Sequence, residues 1–276
     1  GEIKDSLSFN EVSKPTVQAN DVLIEVKAAA INPIDKSIIL GNLQGMLPIP
    51  LPSTVAYDVS GIVVEKGDEV NNFEIGDLVY SRVPQEQMGT ITEYVAVTSV
   101  AVSKKPGNIT FEEAASLPLA GLTAMQSLEY AGIKENDKVL IHAGSGGVGS
   151  LAIQYAKAKG AYVYTTTSTN NVKLVNDLGA DRVIDYKKED YKTIVKDADI
   201  VFDTLGNNYT LEAFDLIKQG GKVVSIIGAL DVETAKMFGM ADYKLPEELA
   251  KLISAKGATY KYIFMQPNGS QLSEIK

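Results

Sequence analysis

The sequence predicts an α/β protein in two parts: a β-rich first part, then a doubly wound parallel sheet. Three observations carry this. Early segments alternate apolar and polar residues with period two, as half-buried strands do. From Lys138 onward, short β-branched runs alternate with helical segments, the pattern of parallel strands covered on both faces. A glycine-rich loop sits at the first strand-to-helix junction of that series. At 276 residues, with 45% apolar and 22% charged residues, the chain can build two domains, each with its own core.

The strands of the first part are read in DVLIEVKAAA (21–30), TVAYDVSGIVVEKG (54–67), DLVYSRV (77–83) and TITEYVAVTSVAVS (90–103). Gly67–Asp68, Gly76–Asp77 and the proline-rich LPIPLP (47–52) punctuate them as turns. Thr110 followed by Glu113 is a capping-box signature at a helix start. The helical run FEEAASLPLAGLTAMQSLEYAG (111–132) should break or kink at Pro118. The second part then runs through strands KVLIH (138–142), AYVYTT (161–166), RVID (182–185), DIVFDT (199–204) and KVVSIIG (222–228), with helices between them.

Composition removes several function classes. Cysteine is absent, so disulfides and thiolate zinc sites are impossible, and His142 is the only histidine. No metal site is expected. The net charge of −9 is spread without a basic run, which argues against a nucleic-acid or anionic-membrane partner. No segment approaches the roughly 18 apolar residues of a membrane span, and GEIKDSLSFN does not read as a secretory signal. A cytoplasmic location is the expectation.

AGSGGVG (143–149) places Gly144, Gly146 and Gly149 in G-x-G-x-x-G spacing, after an apolar strand and at the start of a helix. Gly144 should permit the tight turn, Gly146 the approach of backbone to a pyrophosphate, and Gly149 close helix–strand packing. Ser145, Gly147 and Val148 complete the loop, whose helix amides favour an anion. An NAD site usually has a carboxylate at the end of the next strand; TTTSTNN (165–171) offers neutral groups instead, with Lys173 close behind. Thr167, Ser168 and Lys173 are therefore the expected contacts of a 2′-phosphate, and NADPH the expected cofactor. The same residues can also cap the next helix.

His142 ends a buried strand, where a structural role outweighs acid–base chemistry. Glu112 and Glu113 suit a helix start and do not face each other as a catalytic pair. Lys187 and Lys188 read as solvated surface, and no Ser–His–Asp arrangement is convincing.

AAINPID (29–35), AYDVSGIVV (56–64), GDLVYSR (76–82), GTITEYVAV (89–97), AASLPLAGLTA (114–124) and AGSGGVG together resemble the medium-chain dehydrogenase/reductase superfamily, in its zinc-free branch of quinone oxidoreductases and enone reductases. The resemblance implies a GroES-like catalytic domain over residues 1–110, a Rossmann domain over 111–255, and an incomplete return segment over 256–276, with the nicotinamide in the cleft. It implies Asn32 and Asp35 beside the active site, and Tyr57 where zinc-dependent relatives carry a histidine ligand. Thr123 matches a helix-start residue near the nicotinamide, and Tyr186 one beside the 2′-phosphate. Leu205, Gly206, Ile227 and Gly228 match strand ends along the cofactor; Ile263, Phe264 and Met265 match a hydrophobic pocket segment. Ala56 departs from the family's glycine, and Asn170 or Asn171 stands where many relatives have lysine. The ends look short beside relatives. A homodimer is expected, paired at the sheet edge beyond KVVSIIGAL.

The activity so implied is zinc-independent, NADPH-dependent hydride transfer to a small electrophile, a quinone or an α,β-unsaturated carbonyl. Tyr57 or Asn32 would donate to the oxygen that gains charge. The alternatives are an enoyl-thioester reductase, or an NADPH-binding protein without turnover, like the lens crystallins recruited from this branch.

Overall fold

The computed structural model describes Ile3 and residues 6–275. The chain divides into two compact units, Gly1–Leu122 together with Gln266–Lys276, and Thr123–Met265. The expected bounds at residues 110 and 255 lie inside these units. The second unit runs on to Met265 because a strand at 259–262 still pairs in its sheet.

The first unit is built on strands β1 (Asp21–Ala30), β2 (Asp58–Lys66), β3 (Leu78–Arg82), β4 (Tyr94–Thr98) and β5 (Val102–Lys104). They form one antiparallel sheet in the order β4-β1-β2-β3-β5. β1 spans the residues its alternation predicts. β2 starts later than the run from Thr54, because Ala56 has φ +74°, outside extended backbone. The expected strand over 90–103 is two strands, split by a 3-10 turn at Ser99–Ala101. Val22, Ile24, Tyr57, Val59, Val63, Val79, Val95 and Val97 form the core. Helix α1 (Pro33–Ile39) follows β1; after β5 come α2 (Phe111–Ala115) and α3 (Pro118–Tyr130). The capping box at Thr110 and Glu113 is formed, and Pro118 opens α3 as its first residue, so the chain breaks there as expected.

The second unit alternates β6 (Lys138–Ile141), α4 (Gly147–Ala158), β7 (Tyr162–Thr167), α5 (Val172–Asp177), β8 (Arg182–Asp185), α6 (Tyr191–Ile194), β9 (Ala198–Asp203), α7 (Asn208–Leu216) and β10 (Ile217–Ser225). Helices α8 (Val232–Met237) and α9 (Glu247–Lys256) lead to β11 (Thr259–Tyr262); α10 (Gly269–Leu272) belongs to the first unit. The six strands are parallel, in the order β11-β10-β9-β6-β7-β8. Successive residues of one strand enter opposite cores: Val139, Ile141, Ile200, Phe202 and Val224 on one face, Leu140, Val201 and Val223 on the other. This two-sided burial is why the strands read as continuous apolar runs. The edge expected beyond KVVSIIGAL is not an edge, since β11 pairs along β10 and takes that position.

Candidate active site

In the second unit, the glycine loop joins β6 to α4, and its three glycines fall into two kinds. A Cβ on Gly144 would lie 2.0 Å from Thr165 Oγ1, and one on Gly149 2.3 Å from the Ala143 carbonyl oxygen. Both are fixed by close packing. The left-handed residue of the turn is Ala143, at φ +51°, and none of the three glycines has positive φ. Gly146 differs, because a Cβ there would meet only the Ala143 carbonyl, at 3.3 Å. It is the N-cap of α4 and offers no side chain to the first amides of the helix. A pyrophosphate fits such an end, which has N–H donors and a favourable dipole without a capping group in the way. Gly147 and Val148 begin the helix itself.

The loop is tied to the end of β7. Ser145 Oγ accepts from Thr167 Oγ1 (3.0 Å) and Asn171 Nδ2 (3.1 Å), and Asn171 also reaches Ser168 Oγ at 3.4 Å. The amide of Tyr186 donates to the Thr167 carbonyl (3.2 Å), bringing Tyr186, more than half exposed, to the same strand end. Lys173 does not join this group: it pairs with Asp177 at 2.6 Å on the exposed side of α5. One carboxylate stands nearby that sequence reasoning did not weigh. Asp185 ends β8, accepts from Thr169 Oγ1 (2.7 Å) and pairs with Lys188 (3.2 Å). The Thr169 hydroxyl above all, with the Lys187 amide and Lys188, holds its carboxyl below the usual range.

Leu205 and Gly206 follow β9, and Ile227 and Gly228 follow β10, at adjacent carboxyl ends of the sheet. Thr123 is buried in the second turn of α3, not at a helix start. The helix begins earlier, at Pro118. Ile263 packs on the sheet core and donates its amide to the Ser225 carbonyl (2.8 Å). Phe264 meets Phe238 edge to face at 4.9 Å, and Met265 is buried. His142 is buried, with Nδ1 3.2 Å from Thr166 Oγ1 and its ring against Tyr191 and Tyr209. Burial pushes its pKa down to about 4, so it stays neutral near pH 7.

In the first unit, Asn32, Asp35 and Tyr57 come together around two charges the sequence reading missed. Asp58 and Arg82 are direct partners across the β2–β3 ladder, and both are buried. Asp58 accepts from Asn32 Nδ2 (2.9 Å) through Oδ2, and from the Leu119 amide through Oδ1 (3.0 Å) and Oδ2 (3.2 Å). Asp35 accepts from the Asn32 amide at 2.6 Å and closes the start of α1. The Arg82 guanidinium lies over the Tyr57 ring. Nη1 donates to the Val83 carbonyl (2.9 Å), while Nε and Asp35 Oδ1 are buried without partners among the described residues. Desolvation dominates throughout, raising Asp35 and Tyr57, lowering Arg82, and pushing Asp58 up to about 7. Tyr57 is buried in the core, and its hydroxyl makes no hydrogen bond among the described residues. A signal for this cluster existed: an acid opens β2 and an arginine closes β3, at the strand ends that become buried. Among the described residues, no group of three or more His, Cys, Asp or Glu could hold a metal ion. No described helix is long and apolar enough to cross a membrane.

Comparison with known proteins places both units. The family model for the alcohol dehydrogenase GroES-like domain matches residues 18–107, and that for zinc-binding dehydrogenase matches 147–266. The 2-methylene-furan-3-one reductase of Solanum lycopersicum is 39% identical over 80% of this chain and 58% of its own length. The chloroplastic NADPH-dependent alkenal/one oxidoreductase of Arabidopsis thaliana is 41% identical over 78% of this chain and 57% of its own. The chain thus spans under two thirds of the length of these relatives. The solved quinone oxidoreductase from Coxiella burnetii is 35% identical, with a TM-score of 0.84 over all of this chain and 83% of that one.

Proposed function

This chain belongs to the medium-chain dehydrogenase/reductase superfamily, in its zinc-free quinone oxidoreductase branch, and on that premise we propose that it is a zinc-independent NADPH-dependent reductase of quinones or α,β-unsaturated carbonyls. The observation that carries this reading is the open helix start at Gly146, bordered by the neutral Ser145–Thr167–Asn171 network. Those residues would hold the pyrophosphate and the 2′-phosphate; Leu205, Gly206, Ile227 and Gly228 would line the rest of the cofactor. The Arabidopsis relative is named for NADPH and for alkenal/one reduction, and the Coxiella structure for quinone.

NADPH, when bound, supplies a hydride. The residues of this chain then have to answer the charge that develops on the substrate oxygen. Tyr57 has a hydroxyl with no competing acceptor among the described residues, whereas one N–H of Asn32 is already committed to Asp58. Tyr57 is therefore the better candidate donor of the two. The raised pKa of the phenol, caused chiefly by burial, keeps it protonated at neutral pH. Asp35 positions Asn32 through its amide.

A homodimer and a cytoplasmic setting are part of the proposal, although one relative is chloroplastic. The test is NADPH consumption, followed by absorbance over quinones, enones, enals and enoyl thioesters, with and without exhaustive chelation. Turnover of quinones or enones unchanged by chelation is expected. NADPH binding with no oxidation on any member of the panel would overturn the enzymatic reading.

A further inference from the structure

We propose that Asp203 is a positioning residue that holds the loops Leu205–Gly206 and Ile227–Gly228 in one fixed arrangement for the cofactor; the cofactor half of this rests on the function proposed above. Asp203 ends β9, is fully buried, and has four hydrogen-bond donors within reach. Its Oδ1 accepts from the amides of Leu205 (2.9 Å) and Gly206 (2.8 Å). Its Oδ2 accepts from Thr210 Oγ1 (2.5 Å) and Ser225 Oγ (2.9 Å). Ser225 passes the connection on, since its Oγ accepts from the amides of Gly228 (2.8 Å) and Ile227 (3.3 Å). One carboxylate therefore reaches two loops that follow different strands.

The loops also pack on each other. Gly206 has φ +71°, and a Cβ there would lie 3.0 Å from Ile227 Cγ2. A Cβ on Gly228 would lie 2.8–2.9 Å from Tyr260 Oη, Ser225 Oγ and Thr210 Oγ1. The strands themselves do not need this charge. Asp203 and Ser225 are already register partners in the β9–β10 ladder, and an apolar pair would serve the sheet as well. What needs an acceptor in this place is the set of amides beyond the ladder, which an apolar side chain would leave without a partner.

The experiment pairs hydrogen exchange on the free protein with NADPH titration of Asp203→Asn. The variant keeps the shape but leaves one acceptor oxygen, and its NH2 group must face a Ser225 oxygen that already accepts two amides. Exchange at Leu205, Gly206 and Gly228 should quicken by about tenfold or more, with Val139 and Leu140 in β6 unchanged. The NADPH Kd should rise by about tenfold, and Ser225→Ala should add much less to it than it costs alone. Ser81→Ala, which loses a buried hydrogen bond to the Ala101 carbonyl (2.7 Å), controls for lost stability and should leave the Kd within about twofold. Should Asp203→Asn fail to fold, Ser225→Ala alone must quicken Gly228 and weaken NADPH. Loosening at Leu205 and Gly206 but not at Gly228 overturns the coupling of the two loops. Loosening of both with an unchanged Kd overturns the positioning role. A parent protein that binds no NADPH overturns the functional reading instead, and the exchange data then decide the clamp by themselves.

Discussion

The Arg82 guanidinium carbon stands 4.3 Å from the centre of the Tyr57 ring, so the phenol is held by its face while its hydroxyl has no partner among the described residues. A ring fixed in this way can present a donor at little entropic cost. Tyr57→Phe should therefore slow enone reduction on the order of a hundredfold while leaving the NADPH Kd nearly unchanged. The loss should be smaller for quinones, whose developing charge is spread over a ring. Steady-state kinetics on both substrates checks this; enone turnover within about twofold of the parent would make Tyr57 a packing residue.

The three glycines of the loop should separate under substitution by alanine. Gly144→Ala and Gly149→Ala force a Cβ to 2.0 and 2.3 Å from existing atoms and should cost about 1–3 kcal/mol of stability. Gly146→Ala meets only one atom, at 3.3 Å, so its Tm should change little while NADPH binding weakens at least tenfold. Thermal melts beside fluorescence titrations decide this, and tight NADPH binding by Gly146→Ala would remove the pyrophosphate from this loop.

Cofactor choice should turn on charge at the end of β7. Ser168→Asp places a carboxylate where the chain now has hydroxyls and an amide, next to Asp185. The preference for NADPH over NADH should flatten or reverse, a shift of about tenfold or more. Equal affinities for the two cofactors in the parent would refute the preference itself.

Asp58 makes a pH prediction with a definite sign. Its folded pKa is about 7 against an ordinary 3.8, so between those values the folded protein keeps a proton that the unfolded chain has released. Stability should fall as pH rises from about 4 to about 7 and level off above. Asp35, shifted the same way by burial, adds to the slope. Asp58→Asn should flatten this part of the profile in urea unfolding across the range. A slope as steep in the variant as in the parent would show that Asp58 does not titrate there.

Ala56 is held at φ +74°, which costs an L-residue roughly 1–2 kcal/mol. Glycine removes that strain and gives back part of the gain as unfolded-chain entropy. Ala56→Gly should thus stabilise the protein by about 1 kcal/mol, read as a higher urea midpoint at constant m. A lower midpoint would mean that the methyl group packs better than the strain costs.

Residue by residue, legibility followed how local the cause was. β1 and β8 match the segments their patterns mark, because alternation or β-branched runs bounded by turns decide them without help. The break at Pro118 is equally local, since proline cannot donate to the preceding turn. β11 was missed because TYKY is short and lacks β-branched residues after Thr259; its pairing with β10 makes it a strand. Lys173 was placed by sequence distance, but its side chain meets Asp177 one turn on. Asp58 and Arg82 escaped for the most physical reason. Each gains its meaning from the other across a ladder, and register is not written in either strand alone.

The first unit is also discontinuous: the Tyr80 hydroxyl donates to the carbonyls of Leu272 (2.6 Å) and Ile275 (3.2 Å), and Gly269 lies so close to the Val102 carbonyl that a Cβ would sit 2.1 Å from it. During synthesis, the five strands of this unit are therefore all made long before residues 266–275, which add no strand but complete the packing on Tyr80 and β5. At translation rates of about 5–20 residues per second, the intervening 123–265 impose a delay on the order of ten seconds. The second unit, contiguous in sequence, has every strand of its own sheet in hand before that wait ends. A released chain ending at Met265 would hold every strand of both sheets, but Tyr80 and the β5 edge would lack the contacts of residues 266–275.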